Sequence, residues 1–441
     1  MTHQYPAAIT VEEYAARRYR LWGHMLPNSI AIVPAAVPRI RNGDSEYSFC
    51  QDSDFYYLTG FNEPDAILVL IKEKDRAVLF SEPDDPKVSR WIGPRLGDSV
   101  LQNGMDERHD LDKWTAMLPE LMLNQQQVYF SFGYNHRLDH QVLKALETVR
   151  QKQRHAVHAF EKFIEIKPLI AELRVIKSEE ELALMAYAGE VSGRAHKTLM
   201  QKCKPDIFEY QLEASFVADC MDAGCRAMAY PPIVAAGANA CTLHYTRNQD
   251  KFADGQLVLV DAGGEYEHYA ADITRTFPVN GRFSPEQRTV YEIVLKAQNE
   301  ALALIKPGVL WTDIQNLIVK TMLQGLLDAG IIKGSVEEWI SSKRYHAFYM
   351  HGSGHWLGLD VHDAGSYMGS GLSRLLQPNM VLTVEPGLYF SPDCAEVEER
   401  WRGIGVRIED DVVVTETGNR CLTSNAPKTV EEIEACMASK S

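Results

Sequence analysis

Two acidic side chains are separated by ten residues in an otherwise apolar part of the sequence. Asp261 ends the run Leu-Val-Leu-Val, and Asp272 follows a turn through Gly263-Gly264. If these segments pair as antiparallel strands, the spacing brings both carboxylates onto one face of a hairpin. A carboxylate among apolar residues is poorly placed for hydration, so the pair indicates a buried polar site.

A second pair of acids has similar surroundings later in the chain. Glu385 follows the run Val-Leu-Thr-Val, and Glu409 lies in the apolar segment 406–414. Side chains alternate along a strand, so Arg407, Glu409 and Asp411 are predicted to share one face. The two acidic segments therefore have the same design, with acids projecting from buried strands.

Cations are the expected partners of these acids. Any one of them alone is equally well explained as an exposed carboxylate at the end of a strand, because charged residues are mostly exposed. Four buried carboxylates together repel one another and must be protonated or compensated. Their charge of about −4 matches two divalent cations. Oxygen ligands with one imidazole favour Mn, Co, Fe or Zn over copper.

Four histidines flank the acids. His351 and His355 lie in a glycine-rich segment between the two acidic pairs, His362 follows, and His244 precedes Asp261. A lone histidine is more often structural, but four beside metal-type carboxylates favour a functional role. The glycine spacing of this segment does not fit a dinucleotide fingerprint, and the sequence has no H-E-x-x-H, phosphate-binding loop or G-x-S-x-G pattern.

The elements that position these residues are predicted from periodicity and caps. Capping boxes at Thr10 and Ser178 and the sequence Ser284-Pro285 each predict the start of a helix. Helices and strands alternate up to a boundary near Arg174, after which long helices alternate with pairs of strands. We predict two domains, residues 1–174 and 175–441. Further predicted elements are the strands 29–33, 66–71, 77–79 and 127–130 and the helices 141–150, 178–200, 210–223, 285–305 and 311–329.

The composition excludes several classes of protein. The chain has 441 residues, of which 45% are hydrophobic and 24% charged, and this is the balance of a globular protein. The net charge of −15 argues against nucleic-acid binding. No apolar run reaches the ~20 residues that span a bilayer, and the N-terminus lacks a secretory pattern. The eight cysteines form no C-x-x-C pair, so we expect reduced thiols and a cytoplasmic location.

The order of the acids and three sequence blocks resemble the pita-bread metallopeptidases, which include methionine aminopeptidase, prolidase and aminopeptidase P. The blocks are His-Gly-Ser-Gly-His-Trp-Leu-Gly, Thr-Val-Glu-Pro-Gly-Leu-Tyr and Gly-Ile-Gly-Val-Arg-Ile-Glu-Asp. This resemblance covers residues 175–441. Residues 54–65 resemble the N-terminal domain of bacterial aminopeptidase P, which a methionine aminopeptidase normally lacks. The implied fold is an α/β N-terminal domain followed by an α+β pita-bread catalytic domain of two related halves.

The resemblance implies a dinuclear metal site. Asp261 and Glu409 are expected to bridge or share the metals, Asp272 to bind one ion, and His355 and Glu385 to bind the other. Two divalent cations are implied, with Mn²⁺ expected and Zn, Co or Fe as alternatives. The implied nucleophile is a hydroxide that bridges the metals, because metal binding lowers the pKa of water toward ~7.

The same resemblance assigns roles to the other polar residues of the site. Glu385 is the expected general acid/base, and His362 is expected to hold the carbonyl oxygen or the tetrahedral intermediate. His351 and His244 are expected to line the proline side.

Further residues are expected to surround this set. Tyr389 and Arg407 are expected to orient the ligands, and Tyr230 to line the pocket. The outer pocket, formed in the family partly by a neighbouring subunit, is assigned three residues: Arg154, Arg374 and Trp91. Pro94, near Trp91, departs from the basic or polar residue that relatives tend to have.

The implied activity is release of the N-terminal residue from peptides with proline in the second position. An Xaa-Pro bond is a tertiary amide without an N–H. A prolidase restricted to Xaa-Pro dipeptides needs the same ligands and is the alternative, although residues 54–65 favour the aminopeptidase. A binding protein that has lost catalysis on this fold predicts missing ligands, and all five are present. We expect a homo-oligomer, a tetramer or a dimer, with peptides as partners and neither nucleic acid nor membrane.

Overall fold

The described parts of the chain fold into two compact units. The computed structural model describes residues 5–152, 158–369 and 371–439. Ile9–Arg174 forms the N-terminal unit, and the described residues from Val175 onward form the C-terminal unit together with residues 5–8.

The N-terminal unit is an α/β domain, as its alternating sequence pattern predicts. Its strands are β1 (Ser29–Pro34), β2 (Ile40–Asn42), β3 (Ser45–Glu46), β4 (Ile67–Ile71), β5 (Arg76–Ser81), β6 (Glu107–Asp110), β7 (Gln127–Tyr129) and β8 (Lys162–Ile164). Its helices are α1 (Val11–His24), α2 (Ser53–Thr59), α3 (Pro86–Ile92), α4 (Trp114–Met122), α5 (His136–Lys152) and α6 (Lys167–Val175).

The main sheet of this unit has the strand order β6-β5-β4-β1-β7-β8 within the described residues. β4 and β5 form the predicted antiparallel hairpin, with Ile67 opposite Phe80. All five residues of β4 are buried, because a central strand of an α/β sheet is covered on both faces. Part of that cover comes from α4 and α5, through side chains such as Trp114, Leu118 and Val142.

Helix starts in the N-terminal unit depend on side-chain caps. The Thr10 hydroxyl accepts the Glu13 N–H at 3.2 Å and begins α1 where the sequence predicts. The prediction that the next long helix starts at residue 141 is wrong, because α5 begins at His136. The side chain of Asn135 accepts the Leu138 N–H at 3.1 Å and starts the helix more than a turn earlier.

The C-terminal unit combines long helices with short antiparallel strands. Its helices are α7 (Glu179–Lys202), α8 (Glu209–Asp222), α9 (Pro285–Leu304), α10 (Trp311–Asp328), α11 (Val336–Ser342) and α12 (Val430–Ala438). Its strands are β9 (Ala227–Met228), β10 (Ile233–Ala236), β11 (Leu257–Asp261), β12 (Gly264–Tyr266), β13 (Tyr269–Ala270), β14 (Thr274–Pro278), β15 (Met368–Gly369), β16 (Leu372–Ser373), β17 (Val381–Val384), β18 (Gly387–Phe390), β19 (Ile404–Arg407), β20 (Asp410–Val414) and β21 (Asn419–Cys421).

This unit has two similar halves. α7 packs on α8 before the sheet β10-β11-β14, and α9 packs on α10 before the sheet β17-β20-β21. The capping box predicted at Ser178 is present, with Glu181, and the helix start predicted at Ser284 also forms one, with Gln287. In the described ranges, no helix is both long enough and apolar enough to cross a membrane.

Paired breaks interrupt the strands of the second half. The expectation of one continuous strand over residues 406–414 is wrong, because the ladder stops between β19 and β20, where Glu409 lies. The partner strand breaks at the same level, between β17 and β18, where Glu385 lies. The Glu409 N–H instead donates to the Thr274 carbonyl of the first half at 3.1 Å. The Glu409 backbone therefore lies where the two halves meet.

Candidate metal centre

The first two acids meet at the end of a hairpin. β11 and β14 pair with Asp261 opposite Thr274, so Asp272 lies just before the ladder begins. The chain crosses itself closely here, because a Cβ on Gly263 would lie 1.7 Å from the Ala271 carbonyl oxygen. The Tyr230 hydroxyl lies 2.5 Å from an oxygen of each aspartate. One phenolic proton is thus shared by two carboxylates, which leaves the pair short of positive charge.

The charge around Asp261 is only partly compensated. Burial and the charge of Asp272 raise the pKa of Asp261, whereas Arg407 opposes that rise. The Arg407 Nη2 group donates to Asp261 Oδ2 at 2.5 Å. The single positive charge of Arg407 therefore offsets only part of the negative charge of the carboxylates around it.

Glu409 joins the cluster from the second half. The Thr274 hydroxyl donates to Glu409 Oε2 at 2.7 Å and accepts from Arg407 Nε at 3.1 Å. Burial raises the pKa of Glu409 well above its ordinary value, and the charges of Asp272 and Glu385 add to the rise. The carboxyl is thus oriented by the Thr274 hydroxyl, and within the described residues no cationic side chain forms an ion pair with it.

His355 supplies the nitrogen donor of the cluster. Its Nδ1–H donates to the Trp356 carbonyl at 2.9 Å, which directs Nε2 toward Asp272 Oδ2 at 3.4 Å and Glu385 Oε1 at 3.7 Å. Burial disfavours the imidazolium, but the hydrogen bond and charge of Asp272 outweigh burial and raise the pKa of His355 to about 9. A backbone bond that fixes one ring nitrogen is typical of metal-binding histidines.

The five side chains fit a metal site by their donor chemistry. Ligand atoms of Asp272, His355 and Glu409 lie within 4.8 Å of one another. Burial raises the pKa of Glu385 to about 7, with His355 opposing and the two aspartates adding to the rise. Such raised pKa values reflect carboxylates forced together without enough cations, and divalent ions bound here relieve that repulsion.

A hydrogen-bonded chain connects the cluster to His351. Arg407 Nη1 donates to the Tyr389 hydroxyl at 3.0 Å, and that hydroxyl lies 2.9 Å from His351 Nε2. Because His351 Nδ1 donates to the Gly352 carbonyl at 2.6 Å, Nε2 is the acceptor of the tyrosine proton. Burial, together with the charge of Arg407, lowers the pKa of His351 to about 4. This histidine is therefore neutral at pH 7.

Two more of the expected histidines lie on the same side of the site. The rings of His355 and His362 are 4.4 Å apart between centroids. Burial and the charge of His355 lower the pKa of His362. His244 is exposed on the segment after β10, and its charge contributes to the lowered pKa values of both His351 and His362. The charge of His244 thus acts on both His351 and His362.

The three outer residues have a different status. Arg154 lies outside the described residues. Arg374 follows β16, is half-buried, and donates to the Ser366 carbonyl at 3.2 Å. Trp91 belongs to α3 of the N-terminal unit, and 89% of its surface is exposed.

Three residues that support the proposed ligands have no role assigned from the sequence, although Asp411 is predicted on the same face as Glu409. The Asp411 carboxylate accepts the Asp272 N–H at 3.0 Å. Thr383 Oγ1 accepts the His355 N–H at 3.1 Å and lies 3.5 Å from Glu385 Oε1. Thr274 supports Glu409. Each stands two positions from a ligand, and the alternation of strand side chains is the signal that identifies them.

The fold and this site define a metallopeptidase. Residues 183–416 match the model of metallopeptidase family M24, and residues 14–129 match that of the aminopeptidase P N-terminal domain. The chain belongs to metallopeptidase family M24, and the expected family and fold class are confirmed.

Its relatives identify the branch of that family. The Xaa-Pro aminopeptidase of Escherichia coli (strain K12) is 46% identical over 434 residues, with 97% of this chain and 98% of the relative covered. The structure of Pseudomonas aeruginosa aminopeptidase PepP matches with a TM-score of 0.95 and 46% identity, over 98% of this chain and 99% of the other. A Zn-substituted E. coli aminopeptidase P in complex with product matches with a TM-score of 0.95 and 45% identity, over 99% and 100% of the two chains.

Proposed function

We propose that this chain is a metal-dependent aminopeptidase that releases the N-terminal residue from peptides with proline in the second position. The observation that carries the proposal is the convergence of four carboxylates and one imidazole in a buried site bordered by three further histidines. Similarity over almost the full length to Xaa-Pro aminopeptidases supports this substrate class.

The five residues have roles in holding two divalent cations. Asp261, Asp272, His355, Glu385 and Glu409 would together hold these ions through four carboxylates and one imidazole. Bound cations supply the polarisation of water and of the scissile carbonyl that hydrolysis needs. We propose Mn²⁺ because four oxygen donors and a single imidazole suit it, with Zn, Co or Fe as alternatives.

The remaining side chains handle substrate and protons. Glu385 accepts a proton from the attacking water and delivers it toward the proline nitrogen, which has no proton of its own in the tertiary amide. His362 donates a hydrogen bond to the scissile carbonyl oxygen. His351 and His244 line the proline side, and Tyr389 keeps His351 in one orientation.

A paired assay tests the proposal. Purified protein is stripped of metal, Mn²⁺ is returned, and an Xaa-Pro-Xaa tripeptide is compared with an Xaa-Pro dipeptide. We expect metal-dependent release of the first residue from the tripeptide and much slower cleavage of the dipeptide. Glu385→Gln serves as the inactive control. The opposite preference makes the chain a prolidase, and no cleavage despite bound metal contradicts the proposal.

We also propose a homo-oligomer, with a tetramer expected over a dimer, in the cytoplasm. No side chain of α3 is buried among the described residues, and Trp91 and Ile92 are 89% and 65% exposed. An exposed apolar patch of this kind is typical of a protein interface. Sedimentation velocity tests the assembly, and a monomer at micromolar concentration contradicts it.

The proposed location in the cytoplasm is supported by the cysteines. All eight are free thiols, as a reducing compartment favours.

A further inference from the structure

Glu209 is a buried carboxylate outside the metal centre with every acceptor position in use. It is the first residue of α8, and its surface is 0% exposed. Each carboxylate oxygen accepts two hydrogen bonds. Oε1 accepts from the Ala236 N–H at 2.8 Å and from Asn239 Nδ2 at 3.1 Å. Oε2 accepts from the Tyr245 hydroxyl and from the Asp250 N–H, both at 2.8 Å.

These bonds attach both ends of one segment to one side chain. Ala236 immediately precedes segment 237–250, Asn239 lies near its start, and Asp250 stands at its end. The Glu209 N–H also donates to the Asp250 carbonyl at 3.0 Å, so side chain and backbone hold the same residue. A buried carboxylate is costly unless it is hydrogen-bonded, and the start of a helix favours negative charge. Glu209 is therefore well placed to order the whole segment.

Segment 237–250 carries His244. Its flanking residues Leu243 and Tyr245 pack against a buried cluster that includes Tyr389. Burial, with the hydrogen bond to Glu209, raises the pKa of Tyr245 to about 12, so its hydroxyl remains a donor near neutral pH. His244 thus lies next to a residue fixed at two points, by packing and by Glu209.

We propose that Glu209 is a positioning residue that holds segment 237–250 so that His244 faces the substrate. The catalytic part of this inference rests on the proposed function. Glu209 acts through the segment, since its carboxylate hydrogen bonds go to the segment and to Ala236. The exposed position of His244 makes such external support necessary, because exposed side chains are otherwise mobile.

The first test measures the order of the segment and needs no enzymatic activity. Arg247 is exposed within the segment, so trypsin reports its opening. Glu209→Gln keeps the shape of the side chain but places an amide against donors, and about tenfold faster cleavage after Arg247 is expected. Asp222→Asn, at the exposed end of α8, is the matched control. Unchanged cleavage in Glu209→Gln overturns the proposal.

The second test links the segment to His244 through a double-mutant cycle. Glu209→Gln is expected to lower kcat/KM for an Xaa-Pro-Xaa peptide about tenfold in the wild-type background. In a His244→Ala background the same change is expected to matter less than twofold, with metal content unchanged. Additive losses in the two backgrounds indicate general damage and overturn the positioning role.

Two further outcomes keep the proposals separate. If the wild-type chain fails to cleave Xaa-Pro peptides, the proposed function fails while the proteolysis result still decides the structural part. If Glu209→Gln does not fold, Tyr245→Phe removes one donor and keeps the carboxylate. That variant is then expected to open at Arg247 two- to fivefold faster, on the order of one lost hydrogen bond, and no change overturns the proposal.

Discussion

His196 illustrates how a single buried residue makes stability depend on pH. It lies on α7 with 0% of its surface exposed, and its Nε2–H donates to the carbonyl of Ala262, next to Asp261, at 2.9 Å. Burial lowers the pKa of His196 to about 3, against the opposing effect of that hydrogen bond. Between this value and the ordinary 6.5, the unfolded chain therefore binds a proton that the folded chain does not.

We predict that His196→Gln flattens the acid limb of the stability curve. Where the unfolded state binds more protons, stability rises with pH, so the contribution of His196 is complete above pH 6.5 and declines as pH falls. The slope due to one such group is up to about 1.4 kcal/mol per pH unit. Glutamine retains a donor for Ala262 and does not titrate. Urea unfolding at pH 5, 6 and 7 measures the difference.

The exposed residue His346 provides the control for this measurement. His346→Gln lies in the same unit and is expected to leave the slope unchanged. An equal slope in wild type and His196→Gln would show that the buried imidazole is protonated in the folded state.

At the scale of elements, a short segment beside β17 sets the spacing of two proposed ligands. The Glu385 N–H donates to the Ser353 carbonyl at 2.9 Å, and the Thr383 N–H donates to the His355 carbonyl at 2.9 Å. Gly354 lies between these contacts, where a Cβ would be 2.1 Å from the Thr383 carbonyl oxygen. Close approach of the two backbones thus requires glycine.

We predict that Gly354→Ala separates the segment from β17 and weakens metal binding at least about tenfold, because a displacement of 1 Å is costly in such a site. Gly352→Ala is the matched control, since its Cβ approaches the Gly354 carbonyl oxygen only to 3.8 Å. Metal content after dialysis against a fixed Mn²⁺ concentration is the measurement. Equal metal content in both variants contradicts the packing argument.

At the scale of the whole C-terminal unit, the proposed metal centre lies on the seam between the two halves. Arg275 of the first half donates to the Glu409 carbonyl at 2.6 Å and to Asp410 Oδ1 at 2.7 Å in the second half. The Thr276 hydroxyl donates to the Arg407 carbonyl at 3.0 Å. Cations that bind carboxylates from both halves add to this seam, so metal binding and folding are linked.

We predict that Mn²⁺ raises the thermal midpoint of metal-free protein. At a free concentration 100 times the Kd, binding to the folded state adds about 2.7 kcal/mol. For a unit of this size that corresponds to a rise of roughly 5 °C. Differential scanning calorimetry with and without Mn²⁺ measures it. Glu409→Gln should lose most of the rise, and an undiminished rise in that variant means that the ion binds elsewhere.

The sequence alone determines the local part of this protein. Apolar periodicity predicts the hairpin that contains Ile67, and the capping boxes at Ser178 and Ser284 predict helix starts, because these signals act within a few residues. The four acids in apolar strands are equally readable as a candidate site, whereas the set of five proposed ligands follows from the family resemblance. The missed start at Asn135 shows the limit of this reasoning, because one cap residue moves a helix by more than a turn.

Only the tertiary structure decides how the halves join. Thr274 and Glu409 are 135 residues apart, and Asp272 and Asp411 are 139 apart, yet each pair is hydrogen-bonded. At the strand break at Glu409, the chain exchanges a partner within its own sheet for the Thr274 carbonyl of the other half, whereas the Glu385 N–H donates to the Ser353 carbonyl of the same half. The four hydrogen-bond donors to the Glu209 carboxylate likewise lie 27 to 41 residues further along the chain. Such contacts depend on which surfaces meet after folding, and no local pattern of residues encodes them.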